Sequence, residues 1–359
     1  MNSSKQPLTS LAGTITVPLD RMVAAIREST GTNLAGLLLL LLGLFAVFSF
    51  LLPGIFLQPV TMQSMMFQLP ELGLLSLAMA IPLVSGGLNL AIIATANQAA
   101  LLMAWILTTQ MPPDAAGSEV WLWIVFALFA GFLLCLIIGL VTGFIVAIVG
   151  VHPILVTLGT QTLITGISIW LTRGQTLSGF PDALIRVSNE TIVGIPISFG
   201  IFAVVALGVH IFLTRTVLGI RIHMIGSNLE STHFSGIDTR RVQIWVYVLS
   251  SLLCWLAAIV MMARFNSAGA DIAQSYLLIT ILAAILGGID PYGGFGRVTG
   301  LVAALLILQT ISSGFNLLGF SQHLTLTLWG LTLVTVMAAK RLTGMLVNRY
   351  RSRSETVYR

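Results

Sequence analysis

The strongest constraint on this chain is the absence of charge over long stretches. No Asp, Glu, Lys or Arg occurs in 29–70, 72–113, 120–172, 191–214, 242–263, 272–289 or 298–339. A bilayer core of about 30 Å takes roughly 20 apolar residues as a helix. The longest runs therefore hold two spans and a tight turn. The 359 residues include 17 basic and 12 acidic side chains, 8% charged against a usual ~25%. So few charges cannot furnish the surface of a soluble domain. A soluble enzyme, a nucleic-acid binder and a disordered chain are disfavoured. The pattern specifies an all-α polytopic membrane protein.

The apolar runs predict ten helices, near 34–52, 60–83, 88–109, 121–149, 154–172, 197–213, 242–263, 276–289, 298–313 and 321–339. The eighth is short and is expected to tilt little or stop partway. The fifth is rich in Thr and Gly, the composition of helices that pack closely through small residues. Lys/Arg bias sets orientation. With both termini in the cytoplasm, Lys5, Arg21, Arg27, Arg215, Arg221, Arg240, Arg241, Arg297, Lys340, Arg341, Arg349, Arg351, Arg353 and Arg359 lie inside. Arg173, Arg186 and Arg264 lie outside. The chain thus divides into a cytoplasmic segment 1–33, a transmembrane region 34–340 and a basic cytoplasmic tail 341–359. The basic residues of the first segment are spread out, and the apolar run that follows is long enough to anchor, so it does not read as a signal peptide. The high pI of about 9.7 reports topology rather than an acidic ligand. Cys135 and Cys254 fall inside spans and read as small packing residues. His152, His210, His223, His233 and His323 are scattered, and no metal site is expected.

Two loops are long. The outer segment 173–196 carries Arg173, Asp182, Arg186 and Glu190. The inner segment 214–241 mixes charge with apolar residues. Within it, Ser227 or Asn228 can N-cap a short helix, Glu230 suits the first-turn dipole, and Gly236 followed by Ile237 makes a C-terminal stop. Such a helix needs a docking surface, since it has little stability alone. The alternative is a solvated connector.

Three further features stand out. Leu286-Gly-Gly-Ile-Asp-Pro-Tyr-Gly-Gly-Phe-Gly-Arg-Val298 lacks phosphate-loop spacing and reads as a tight cytoplasmic turn. In Ile81-Pro-Leu-Val-Ser-Gly-Gly-Leu-Asn-Leu90, Pro82 and Gly86-Gly87 are expected to break or kink the second span. Asn89, Asn97 and Gln98 then either line a pathway or pack between helices beside a simple turn. Glu71, after Pro70, sits inside an apolar span, where a carboxylate is a functional candidate by default. It serves either structure or a coupled proton.

These motifs resemble the membrane permease subunits of bacterial ABC importers for ribose, other monosaccharides and autoinducer-2. The wider superfamily also includes permeases for nucleosides and branched-chain amino acids. The resemblance runs from about Phe56 to Arg341. Gly219, Gly226, Asn228, Gly236 and Ile237 match the family's cytoplasmic coupling loop. Val246-Tyr-Val-Leu-Ser250 and Ala263-Arg264 match the next helix. Leu286-Gly287-Gly288, Gly293-Gly294, Gly296-Arg297 and Gly300 match the loop after that. Gly314-Phe-Asn-Leu-Leu-Gly319 looks like the segment before the last helix. His152-Pro-Ile-Leu-Val-Thr157-Leu-Gly-Thr160 and Gly174-Gln175 match the fifth span and its exit, and Gly86-Gly87 opens a further matching element. Departures accompany these matches. Asn89 replaces an Asp, Ala91-Ile92-Ile93 replaces Ser-Val-Gly, Ser231-Thr232 replaces paired alanines, and Ile220 stands for an Arg. Leu277-Leu-Ile279 replaces an acidic start to the eighth span.

The resemblance implies a type II ABC importer-like permease fold in the bacterial inner membrane, with no catalytic residue and no cofactor of its own. ATP and Mg would be bound by two partner ATPase subunits or one tandem ATPase. A periplasmic binding protein would deliver the solute, most simply a monosaccharide or related polyol. A second permease subunit would complete the pathway, and the departures suit a non-identical one; no nucleic acid is involved. The coupling loop would act through Gly219, Arg221, Gly226, Asn228, Glu230, Gly236 and Ile237, beside the glycine turn of Gly287, Gly288, Gly293, Gly294, Gly296 and Arg297. Pathway candidates are Asn89, Asn97, Gln98, Thr157, Thr160 and Gln161. Two other classes stay open: an ion-coupled secondary transporter using Glu71, and a membrane scaffold or channel.

Overall fold

A computed structural model of the protein describes residues 34–331, apart from 116 and 322, together with 334. The expected segment 1–33, the tail 341–359 and the second half of the expected last span lie outside the described residues.

The helices run α1 (Leu34–Leu51), α2 (Pro59–Val84), α3 (Ile92–Trp105), α4 (Ser118–Phe144), α5 (Pro153–Thr172), α6 (Asp182–Asn189), α7 (Ile197–Arg215), α8 (Val217–Ser227), α9 (Leu229–Phe234), α10 (Thr239–Phe265), α11 (Tyr276–Leu286) and α12 (Val298–Leu317). Residues 323–331 are also helical. Two single π turns extend α3 to Gln110 and α4 to Val149. Two short antiparallel pairs complete the fold: β1 (Leu177–Ser178) with β4 (Ser267–Ala268), and β2 (Thr191–Ile192) with β3 (Ile195–Pro196).

Among the described residues, eight helices are long and apolar enough to cross a membrane: α1, α2, α3, α4, α5, α7, α10 and α12. The Thr-rich run after His152 is one continuous helix, opened by Pro153 at a position where its missing N–H costs nothing. The expected eighth span is short and ends at Leu286 rather than 289. α11 has 11 residues, about 16 Å at 1.5 Å per residue, roughly half of a bilayer core. Gly287-Gly288 ends it on one side, and 269–275 is irregular on the other. α2 stays helical through Pro70 and Pro82 and breaks at Ser85-Gly86, so of the residues expected to interrupt it the glycines end the helix.

α10 is the central post and packs against α2, α3 and α4. Small residues let it do so. A Cβ on Gly139 would lie 2.8 Å from the Val248 Cα, and one on Gly143 would lie 2.9 Å from the Ile244 Cα. Backbone contact this close supplies the dispersion that holds helices together in lipid. α2 is enclosed: every residue from Leu69 to Val84 is buried. α1 buries only Leu37 and Phe48. α4, α5 and α7 expose Trp121, Leu155, Val204 and other large apolar side chains, as suits a lipid-facing surface. Both cysteines are buried.

Candidate functional site

The coupling segment folds as two helices, each with a capping side chain. α7 ends at Arg215 and Thr216 caps α8, its Oγ1 accepting from the Gly219 N–H at 3.1 Å. Asn228 caps α9, its Oδ1 accepting from the Ser231 N–H at 2.8 Å. Asp238 caps α10 through the Arg241 N–H at 3.1 Å. Each cap satisfies an orphan donor and is worth about 1 kcal/mol. Gly236 takes φ +80° after α9, and Ile237 packs on the main core. α8 turns Ile222 and Ile225 inward and leaves Arg221 exposed. α9 buries Thr232 and leaves Glu230 and Phe234 exposed. A Cβ on Gly219 would overlap the Phe212 carbonyl and the Leu213 backbone, so the fold-back of α8 onto α7 needs glycine there.

Three turns that are remote in sequence meet at the end of α8. The Gly294 N–H donates to the Val84 carbonyl at 2.8 Å, joining the glycine turn to the end of α2. Gly226 sits against this bond, and a Cβ on it would overlap the Val84 oxygen and the Gly294 nitrogen. A Cβ on Gly293 would lie 2.6 Å from the Gly86 Cα and 2.9 Å from the Gly226 oxygen. Any larger residue at 226 or 293 pushes backbone against backbone, where no rotamer change relieves it. The turn itself is closed by Asp290, whose N–H donates to the Phe295 carbonyl and whose Oδ1 accepts from the Tyr292 N–H, each at 2.9 Å. His223 contacts both sides, with Nδ1 2.9 Å from the Gly219 oxygen and Nε2 3.5 Å from the Gly296 oxygen. Gly287 lies against the backbone of Gly300 and Leu301 in α12, Gly288 turns with φ +88°, and Arg297 is exposed. Phe234, Tyr292 and Phe295 are 87%, 80% and 69% exposed.

The six polar residues expected along a pathway act mainly between elements. Asn89 Nδ2 donates to Ser250 Oγ at 2.9 Å, and Ser250 donates to the Ala78 carbonyl at 2.7 Å. Asn97 Nδ2 donates to the carbonyls of Ala270 and Ile272 at 3.1 and 2.9 Å, tying down the irregular segment before α11. Gln98 Oε1 accepts from Ser168 Oγ, linking α3 to α5. Thr157 reaches the Leu88 carbonyl at 3.2 Å, while Thr160 bonds back to Val156 in its own helix. Gln161 Oε1 is buried without a hydrogen bond among the described residues. Such interhelical bonds average about 0.6 kcal/mol each.

Glu71 has partners that sequence reasoning did not find. It is fully buried, with Arg264 Nη1 2.5 Å from its Oε1 and the Tyr276 hydroxyl donating to the same oxygen at 2.6 Å. No helix break admits water to it. One helical turn away, Gln68 Oε1 accepts from Gln309 Nε2 at 3.2 Å, and Gln309 also donates to Ser313 Oγ at 3.1 Å. The available signal was the spacing of Gln68 and Glu71, three apart on one helix face.

Comparison with known proteins covers most of the chain. Residues 61–337 match the model of the family described as branched-chain amino acid transport system / permease component. The Autoinducer 2 import system permease protein LsrD of Photorhabdus temperata is 28% identical over 275 residues, 75% of this chain and 79% of that protein. The protein of the same name from Yersinia enterocolitica is 27% identical, and that from Salmonella typhi 28%, each over 75% of this chain and 80% of its own length. No solved structure matches. With its apolar helices and this match, the chain belongs to the branched-chain amino acid transport system permease family and is a multi-pass permease of the bacterial inner membrane.

Proposed function

We propose that this chain is the transmembrane subunit of an ABC importer for a small polyhydroxylated solute, with autoinducer-2 first and a monosaccharide second. The substrate assignment is supported by the relatives' names and by the family resemblance. The observation that carries the coupling role is the junction of Gly226, the end of α2 and the 290–296 turn. α9 and Phe234 stand out from that junction, and Glu230 carries a charge at the exposed helix start. An ATPase that grips α9 would move α8, and α8 has backbone contact with the end of α2. α2 is enclosed by its neighbours, so its displacement reaches the rest of the bundle. Arg221, Asn228, Gly236 and Ile237 shape this lever, and Gly287, Gly288, Gly293, Gly294, Gly296 and Arg297 form its seat.

Two ATPase subunits or one tandem ATPase would bind ATP and Mg, and a periplasmic binding protein would deliver the solute. A second permease, identical or non-identical, would complete the pathway. Thr160 and Gln161 are the pathway candidates whose side chains make no bond to a neighbouring element among the described residues. The test uses the assembled importer in proteoliposomes with autoinducer-2 as probe. Gly226→Ala and Glu230→Lys are each expected to reduce ATP-driven uptake at least tenfold while the chain still inserts. Normal uptake by both variants would overturn the coupling role. The secondary-transporter alternative fits less well, because the buried Glu71 is already paired with a guanidinium.

A further inference from the structure

The coupling junction lies at the cytoplasm-facing end of α2. The other end carries a polar cluster that coupling does not use. α2 has 26 residues, so its ends are about 39 Å apart. At its start, Gln63, Ser64 and Gln68, with Val60, Phe67 and Arg264, line a cleft of about 220 Å³. That is below the ~300–1,000 Å³ of sites for drug-sized ligands, a size for one small solute. Gln68 Nε2 donates to Ser64 Oγ at 3.1 Å, and Gln63 Nε2 reaches the Gly194 carbonyl in the β2–β3 turn at 3.4 Å. Amide and hydroxyl side chains both donate and accept, as solute hydroxyls do.

Charge narrows the solute class. Arg264 brings one positive charge to the cleft wall, and Glu71 cancels it at 2.5 Å. The remaining lining residues are neutral. A neutral solute therefore suits the cleft better than an ion of either sign. Glu71 approaches Nη1, and a guanidinium carries five donors in a fixed fork. Glu71 Oε2 has no hydrogen-bond partner among the described residues. A buried ion pair is weak evidence of stability in itself. Ionisable residues at membrane depth more often mark solute routes.

We infer that this cleft is a contact site for a small, neutral, polyhydroxylated solute arriving from the extracytoplasmic side. Gln63, Ser64 and Gln68 bond its hydroxyls, and Phe67 covers its apolar face. Arg264 donates from the wall, positioned by Glu71 and Tyr276. This rests on the importer reading, and the test separates the two.

Ser64→Cys is introduced into the full chain in the assembled importer. Cys135 and Cys254 are buried, so the parent chain gives little background with a membrane-impermeant maleimide. D-ribose, autoinducer-2 and leucine are the probes. Protection of the new thiol by either polyol, but not by leucine, is expected, with labelling slowed at least fivefold. Adding Gln68→Leu should abolish the protection while the thiol still labels. Protection by leucine alone or by no probe overturns the site, and so does protection that survives Gln68→Leu. Failure of any ATPase to co-purify would sink the importer reading, while the labelling result would still decide the cleft.

Discussion

Glu71 and Arg264 are bound to one another by geometry as well as charge. Side chains in a helix lean toward its N-terminus. α2 and α10 run antiparallel, as the contacts of Ala78 with Ser250 and of Glu71 with Arg264 require. Each side chain therefore leans toward the other. Removing one partner leaves the other buried and uncompensated, a loss of about 3–5 kcal/mol in dry interiors. The Arg264 side chain is 22% exposed, so Glu71→Gln is expected nearer the lower figure. Glu71→Gln with Arg264→Gln should recover most of that loss, since two amides can bond across the same gap. Unfolding in detergent measures both, and additive losses would show that the pair is not coupled. Glu71 was legible from sequence because it interrupts an apolar run. Its partners were not, because Arg264 and Tyr276 come from helices far along the chain. Gln68 and Gln309 sit in charge-free stretches that read simply as membrane.

Local chemistry decides the elements. Asn228, Glu230 and Gly236 identify α9 from sequence because capping and helix-stop chemistry are local, and the structure puts α9 between Asn228 and Gly236 with Glu230 in its first turn. α8 was not foreseen. Arg221 and His223 interrupt its apolar residues, and its inward face becomes clear only when α7 and α2 supply the surface. α11 shows the converse: 276–289 is apolar enough to span, but Asn97 holds the carbonyls of Ala270 and Ile272 in a run of turns before it. α9 has six residues, far below the ~12–15 at which an isolated helix becomes marginal in water. Loss of its cap should therefore be felt throughout. Asn228→Ala is expected to cost about 1 kcal/mol and to speed amide exchange over 229–234 roughly fivefold. The exchange of α10, which has its own cap in Asp238, should not change. Equal acceleration in both helices would mean that α9 is not a separate unit.

Charge sets the orientation of the whole molecule, and orientation decides which end of α2 meets ATP. The long apolar helices follow from where charge is missing, whereas the close approach of three cytoplasmic turns depends on tertiary packing that no single stretch encodes. Lys/Arg bias places α8, α9 and the 290–296 turn inside, and the β2–β3 hairpin outside. Two exposed positions report on the two faces: Phe234 at 87% and Val193 at 96%. With both native cysteines buried, single substitutions to Cys at these sites are clean probes. Val193→Cys is expected to react with an impermeant maleimide in intact spheroplasts, and Phe234→Cys only in inverted vesicles. The reverse pattern would put the capped helices in the periplasm, where no ATP is available. The lever from α9 through Gly226 to α2 would then have nothing to drive it, and the importer reading would fall together with the assignment of the polar cleft to the entry side.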